Sequence, residues 1–154
     1  MKKVIYISLV IGLVITYGFT TIQSADNCDK KTLSESCKKK LEDFKYDSQK
    51  FSKINFTDRA VQMEVELPVF IGEKYRVIFN TSALPKPITI SVYTKNKENK
   101  KRVAIYTTKD AAAGTTEFVF DAPRVRNMYI DYDVPLLDSK DKLSGCVVFM
   151  VGYK

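Results

Sequence analysis

The sequence predicts an all-β protein, an antiparallel, jelly-roll-like β-sandwich of about eight strands with one N-terminal α-helix packed on it. Three observations predict it. Beyond Asp47, apolar and polar residues alternate with a period of two in short runs. Turn material rather than helical sequence separates those runs, which argues against a fold alternating strands with helices. The last run, SGCVVFMVGYK, is apolar on both faces and so has to be covered on both.

The elements follow in chain order. MKKVIYISLVIGLVITYGFTTIQSA has two lysines, an apolar run from Val4 to about Phe19, then small and polar residues, the layout of a secretory signal peptide over residues 1–25. The competing reading is an uncleaved anchor, since Val4 to Ile22 is long enough to cross a hydrocarbon core. Lys2 and Lys3 would then hold the N-terminus in the cytoplasm. Cys28 follows Ala-Asp-Asn, which is not a lipidation signal. Both readings put the body outside the cytoplasm, where disulfides form.

Residues 26–47 form an N-terminal segment with a helix over about 33–44. Thr32 and Glu35 read as a capping box, and Leu33, Cys37, Leu41 and Phe44 as one apolar face. Lys38, Lys39 and Lys40 fall on solvated faces. The sandwich then occupies 48–154, its strands read from KFSKINFT, AVQMEVELPVF, EKYRVIFNT, PITISVYTK, KRVAIYTT, TEFVFDA, NMYIDYDVP and SGCVVFMVGYK. In the last of these Val147, Phe149 and Val151 face one way, and Cys146, Val148 and Met150 the other. The sandwich core covers one set; the helix is the other amphipathic element that can cover the second.

That docking favours a Cys37–Cys146 disulfide, closing a loop of about 110 residues, with Cys28 left as a free or intermolecular thiol. Cys28–Cys37 and Cys28–Cys146 stand as the alternatives, the last leaving Cys37 buried and free.

The chain of 154 residues has no histidine, which removes the usual general base, the Ser-His and Cys-His nucleophile pairs and the commonest transition-metal ligand. The formal charge of +7 falls to about +5 once Lys2 and Lys3 are set aside, a diffuse excess and no nucleic-acid footprint. KNKENKKR (95–102) is basic but lacks the interleaved aromatics of a nucleic-acid platform. Asp131 and Asp133 share a face of one strand, as Glu64 and Glu66 do of another. Were those strands neighbours, the four would be candidate Ca²⁺ ligands or would flank a sugar. The plainer reading is a solvated face with cross-strand Lys and Arg partners. Tyr93, Tyr106, Tyr129 and Tyr153 are candidates for an outward aromatic surface, and Asn55 and Asn80 begin glycosylation sequons.

FKYDSQKF, ELPVFIGEKYRVIFNT, YIDYDVP and SGCVVFMVGYK together resemble a family of small exported proteins of Bacteroidota, over about Cys37 to Lys154. That pattern has a cysteine ahead of FKYDSQK and one in SGCVVFM, matched by Cys37 and Cys146, and Cys28 departs from it. It implies export and supplies no activity. The IGEKYRVIF…ITISVY stretch is similar to pre-peptidase C-terminal β-sandwich domains, which implies the fold and an accessory or binding role.

The function expected is that of an exported, non-catalytic binding or accessory module of the cell envelope, recognising a protein or glycan surface. It would need no cofactor, bind no nucleic acid, and touch a membrane only through an uncleaved leader. A carboxylate-based glycan-active enzyme is the competing class; its mark would be a concave cleft with Asp and Glu about 5–10 Å apart. An anchored structural subunit is the third.

Overall fold

The computed structural model describes residues 28–138 and 142–154. The leader, in both its cleaved and anchored readings, lies outside the described residues. Helix α1 (Lys30–Lys39) precedes strands β1 (Lys45–Phe56), β2 (Val61–Pro68), β3 (Tyr75–Asn80), β4 (Thr89–Tyr93), β5 (Ala104–Thr107), β6 (Glu117–Ala122), β7 (Asn127–Val134) and β8 (Leu143–Tyr153). They form two four-stranded sheets, ordered β1-β8-β3-β6 and β2-β7-β4-β5. Every neighbouring pair is antiparallel. Successive strands alternate between the sheets except at the β4–β5 hairpin, which is jelly-roll topology.

Period-two patterning explains the core between the sheets. Val65 and Leu67 of β2, Val77 and Phe79 of β3, Ile90 and Val92 of β4, and Ile130 and Tyr132 of β7 all point inward. Val147, Phe149 and Val151 of β8 join them. The other face of β8 feeds a second core, in which Leu33, Cys37, Leu41 and Phe44 cover Ile78, Val148 and Met150. The helix therefore docks where the two-faced strand requires it.

Its limits differ from those the sequence suggested. Asp29, not Thr32, caps it: the carboxylate accepts from the Lys31 and Thr32 amides, and the Thr32 hydroxyl donates to it at 2.5 Å. Asp is as good a cap as Thr, and its position one turn earlier lets α1 begin at Lys30. The helix also ends at Lys39, so Leu41 and Phe44 are buried from a turn in which Glu42 takes φ 53°. The turn can lie flat because residue 152 is glycine; a Cβ there would meet Leu41 Cδ2 at 2.6 Å and Phe44 Cβ at 2.9 Å. β1 then starts at Lys45, ahead of the expected boundary at 48, since β8 is long enough to pair with it from Tyr153 to Leu143.

A buried polar cluster fastens the helix to the sheet. Asn80, 2% exposed, donates to Ser36 Oγ and to Glu117 Oε1, each at 3.2 Å, while Ser36 donates to Glu117. Lys40 lies 3.7 Å from the same carboxylate. Asn80 is thus committed inside the fold and closed to glycosylation, whereas Asn55 is exposed on edge strand β1.

The expected Cys37–Cys146 bridge is corrected: Cys28 is bonded to Cys146, with Cα atoms 5.7 Å apart, and Cys37 is buried and free. The helical rise supplies the reason. From its start α1 advances about 1.5 Å per residue, so Cys37 lies roughly 10 Å along the helix from the end beside Cys28. Bridged Cα atoms have to come within about 7 Å, and the end that reaches Cys146 is the one carrying Cys28. Cys37 packs under the helix instead, and burial pushes its thiol up to about 11.

Cys28→Ser is expected to lower stability by about 4–5 kcal/mol, the chain-entropy value for a bridge spanning 118 residues, and to slow migration on a non-reducing gel. Cys37→Ser should leave that migration unchanged. In the native protein iodoacetamide at neutral pH should not reach Cys37. Because the folded thiol titrates above the unfolded one, its contribution to stability is complete below about pH 9 and lost as pH rises towards about 11. Denaturation midpoints across that window, with and without Cys37→Ala, measure it.

Candidate binding surface

On the outer face of the second sheet, register sets Glu64 opposite Asp131 and Gln62 opposite Asp133. The carboxylates of neighbouring strands do meet, but they hold an arginine and not a cation site. Arg102 donates to Glu64 Oε2 at 2.8 Å and to both oxygens of Asp131, with its guanidinium carbon 3.9 Å from the centre of the Tyr93 ring. Asp133 accepts from Gln62 Nε2 at 2.7 Å, and Glu66 from the Tyr129 hydroxyl at 3.3 Å. Among the described residues no group of three or more His, Cys, Asp or Glu is placed to hold a metal.

The arginine partner that the sequence suggested is present and Gln62 and Glu66 are exposed, but Asp131 beneath Arg102 is 0% exposed. Burial raises its pKa, and the bonds from Arg102 pull the other way. For Arg102 burial works against the charge, and Asp131 and Glu64 outweigh it, so its pKa rises. Arg102 is the last residue of KNKENKKR. It folds the β4–β5 loop (94–103) back over the sheet and latches it there.

Between the sheets at one end lies a groove of ≈ 820 Å³ lined by Ile88, Phe118, Val134, the small residues Ala111–Gly114, several threonines, and Asp133. Asp133 is the lone carboxylate in that lining. A pair of carboxylates flanking a cleft, the mark of the glycan-active alternative, is not present there. Two of the four tyrosines turn inward, Tyr106 stacking 4.8 Å from Phe120 and Tyr153 packing on the core, while Tyr93 and Tyr129 stand opposite each other and half-buried on the outer face, Tyr93 under Arg102 and Tyr129 bonded to Glu66.

The opposite end has a different character. β2 pairs with β7 at Pro68 and Asn127, and β3 with β6 at Tyr75 and Ala122. The connections 69–74 and 123–126 therefore run side by side across the same end. Phe70 and Ile71, at 77% and 75% exposed, form the tip of the first. The tip is held in place: the Phe70 amide donates to the Tyr75 hydroxyl at 2.9 Å, and Gly72 takes φ 106°, a conformation that suits glycine. Arg124 and Arg126 stand exposed on the neighbouring connection, and Lys95, Lys97, Lys100 and Lys101 on the latched loop. None of the six forms an ion pair with a described residue. This end was missed in the sequence because PVFIGE reads as a turn. The available signal was two large apolar residues between Pro68 and Gly72, beyond the alternation of β2.

No protein-family model matches the chain, and no curated protein does. Among solved structures it is similar to PliG of Aeromonas hydrophila, a periplasmic lysozyme inhibitor of g-type lysozyme. The TM-score is 0.46 at 13% identity, covering 69% of this chain and 86% of that one.

Arg102→Ala should cost about 3–5 kcal/mol, because it leaves Asp131 buried without a partner. In that variant the folded-state pKa of Asp131 lies above its unfolded value, so the deficit is full at neutral pH and shrinks as pH falls and the carboxyl is protonated. Urea midpoints of both proteins from neutral to acidic pH would show the gap closing.

Proposed function

We propose that this is an exported, non-catalytic module that binds a protein partner through the loop end formed by 69–74, 94–103 and 123–126. The observation that carries the reading is the tip of Phe70 and Ile71, two large apolar side chains held out into solvent by a hydrogen-bonded turn. Fixing such residues outward forgoes about 1.5–3 kcal/mol of burial for each, which a partner's pocket would return. The flanking cations add orientation and speed of encounter with an acidic surface. Tyr106 and Tyr153 turn inward and Tyr93 is covered by Arg102, which favours protein over glycan. The Cys28–Cys146 bridge and the leader support export.

The test is binding by the full chain with Phe70→Ala and Ile71→Ala, singly and together. Both side chains are exposed, so thermal midpoints should move by no more than about 0.5 kcal/mol equivalent. Affinity for a purified partner captured from the native envelope fraction should fall at least about tenfold per residue. Unchanged affinity in the double variant would sink the reading. Wild-type binding to vesicles of phosphatidylglycerol, abolished in the double variant, with no protein captured, would replace the protein with a lipid surface.

A further inference from the structure

Beside the apolar tip lies a recess of ≈ 380 Å³ lined by Phe44, Lys74, Tyr75, Asp121, Arg124 and Lys154 among others. Its wall is continuous with the tip, since Lys74 and Tyr75 are the descending limb of the same loop and Tyr75 holds the Phe70 amide.

The charges around it are unevenly committed. Asp121 is held by Arg76 in a two-pronged pair, Nε to Oδ1 at 2.6 Å and Nη2 to Oδ2 at 2.9 Å. That bonding keeps the Asp121 carboxyl below the usual carboxylate range and leaves it little capacity for further cations. Arg76 also holds Glu42 at 2.7 Å, and Lys154 holds Asp43 at 2.6 Å. Lys74 and Arg124 are left, with no ion pair to any described residue. Asp121, the acidic side chain in the lining, is already held by Arg76, while Lys74 and Arg124 in the same lining have no acid.

We infer that this recess is a carboxylate-binding subsite, in which Lys74 and Arg124 receive an acidic side chain of the protein partner while Phe70 and Ile71 enter an apolar pocket beside it. The inference rests on the reading of the loop end as the binding surface, and it specifies the partner: an apolar cavity with Asp or Glu at its rim. An arginine fork and an ammonium lining one recess suit a planar carboxylate, which accepts two parallel hydrogen bonds from the guanidinium. Shape separates this partner from a bilayer, because a prong next to a recess matches a surface of fixed relief.

The experiment titrates the full chain with N-acetyl-tetraglutamate, followed by amide NMR shifts. Saturable shifts are expected at Lys74 and at Ala122 and Arg124, weakened at least fivefold in Lys74→Gln and Arg124→Gln and by raised salt. Phe70→Ala with Ile71→Ala should leave that titration unchanged, which separates failure of the subsite from failure of the apolar tip. Inorganic phosphate is the second probe. Phosphate binding with no response to tetraglutamate would overturn the carboxylate assignment, as would shifts that spread over Lys95–Lys101 and survive Arg124→Gln.

Discussion

Strand β8 is buried on both faces, and the rest of the molecule is arranged to make that possible. It lies between β1 and β3 in the first sheet, so both of its backbone edges are paired. Val147, Phe149 and Val151 fill the sandwich core, and Val148 and Met150 need a second cover. The short helix supplies it, and the elements around the helix work to keep it there. Gly152 admits the close turn at Leu41 and Phe44, the Ser36–Asn80–Glu117 cluster pins the middle, and Cys28 ties the start to Cys146. A ten-residue helix is too short to be stable alone, so its persistence depends on this packing.

Buried charge plays the corresponding part on the second sheet. Arg102 is held by two carboxylates and an aromatic ring, and in holding them it folds a basic loop back over the outer face of the strands. Such a cluster is weak evidence for added stability, because desolvation offsets much of the attraction. Its positional effect is the clearer one: the lysines ahead of Arg102 are brought to the same end as Phe70 and Ile71. One end of the sandwich thus presents a mixed, small-residue groove, and the other an apolar prong among cations.

Strand existence and the two-layer plan were legible because period-two alternation is a local property repeated along the chain. The two-faced character of residues 146–151 was legible for the same reason, and it placed the helix correctly. Asp29 shows where local reading fell short, since two sites one turn apart, Asp29 and Thr32, both satisfy the capping rule and the choice depends on where the helix meets the sheet. Asp131 is similar. Alternation gave the face that it shares with Asp133, but not its register opposite Glu64 nor the return of Arg102 across a loop to bury it.

Alternation alone was enough for the fold class, for the two faces of β8 and for its need of a cover, because side-chain direction follows backbone period. Tertiary structure alone decided which cysteine meets Cys146, which carboxylate loses its water and which loop tip stands in solvent. Those outcomes depend on distances between segments far apart in the chain. Cys28, just ahead of the helix, meets Cys146, while Cys37, seven residues into the helix, packs beneath it as a free thiol.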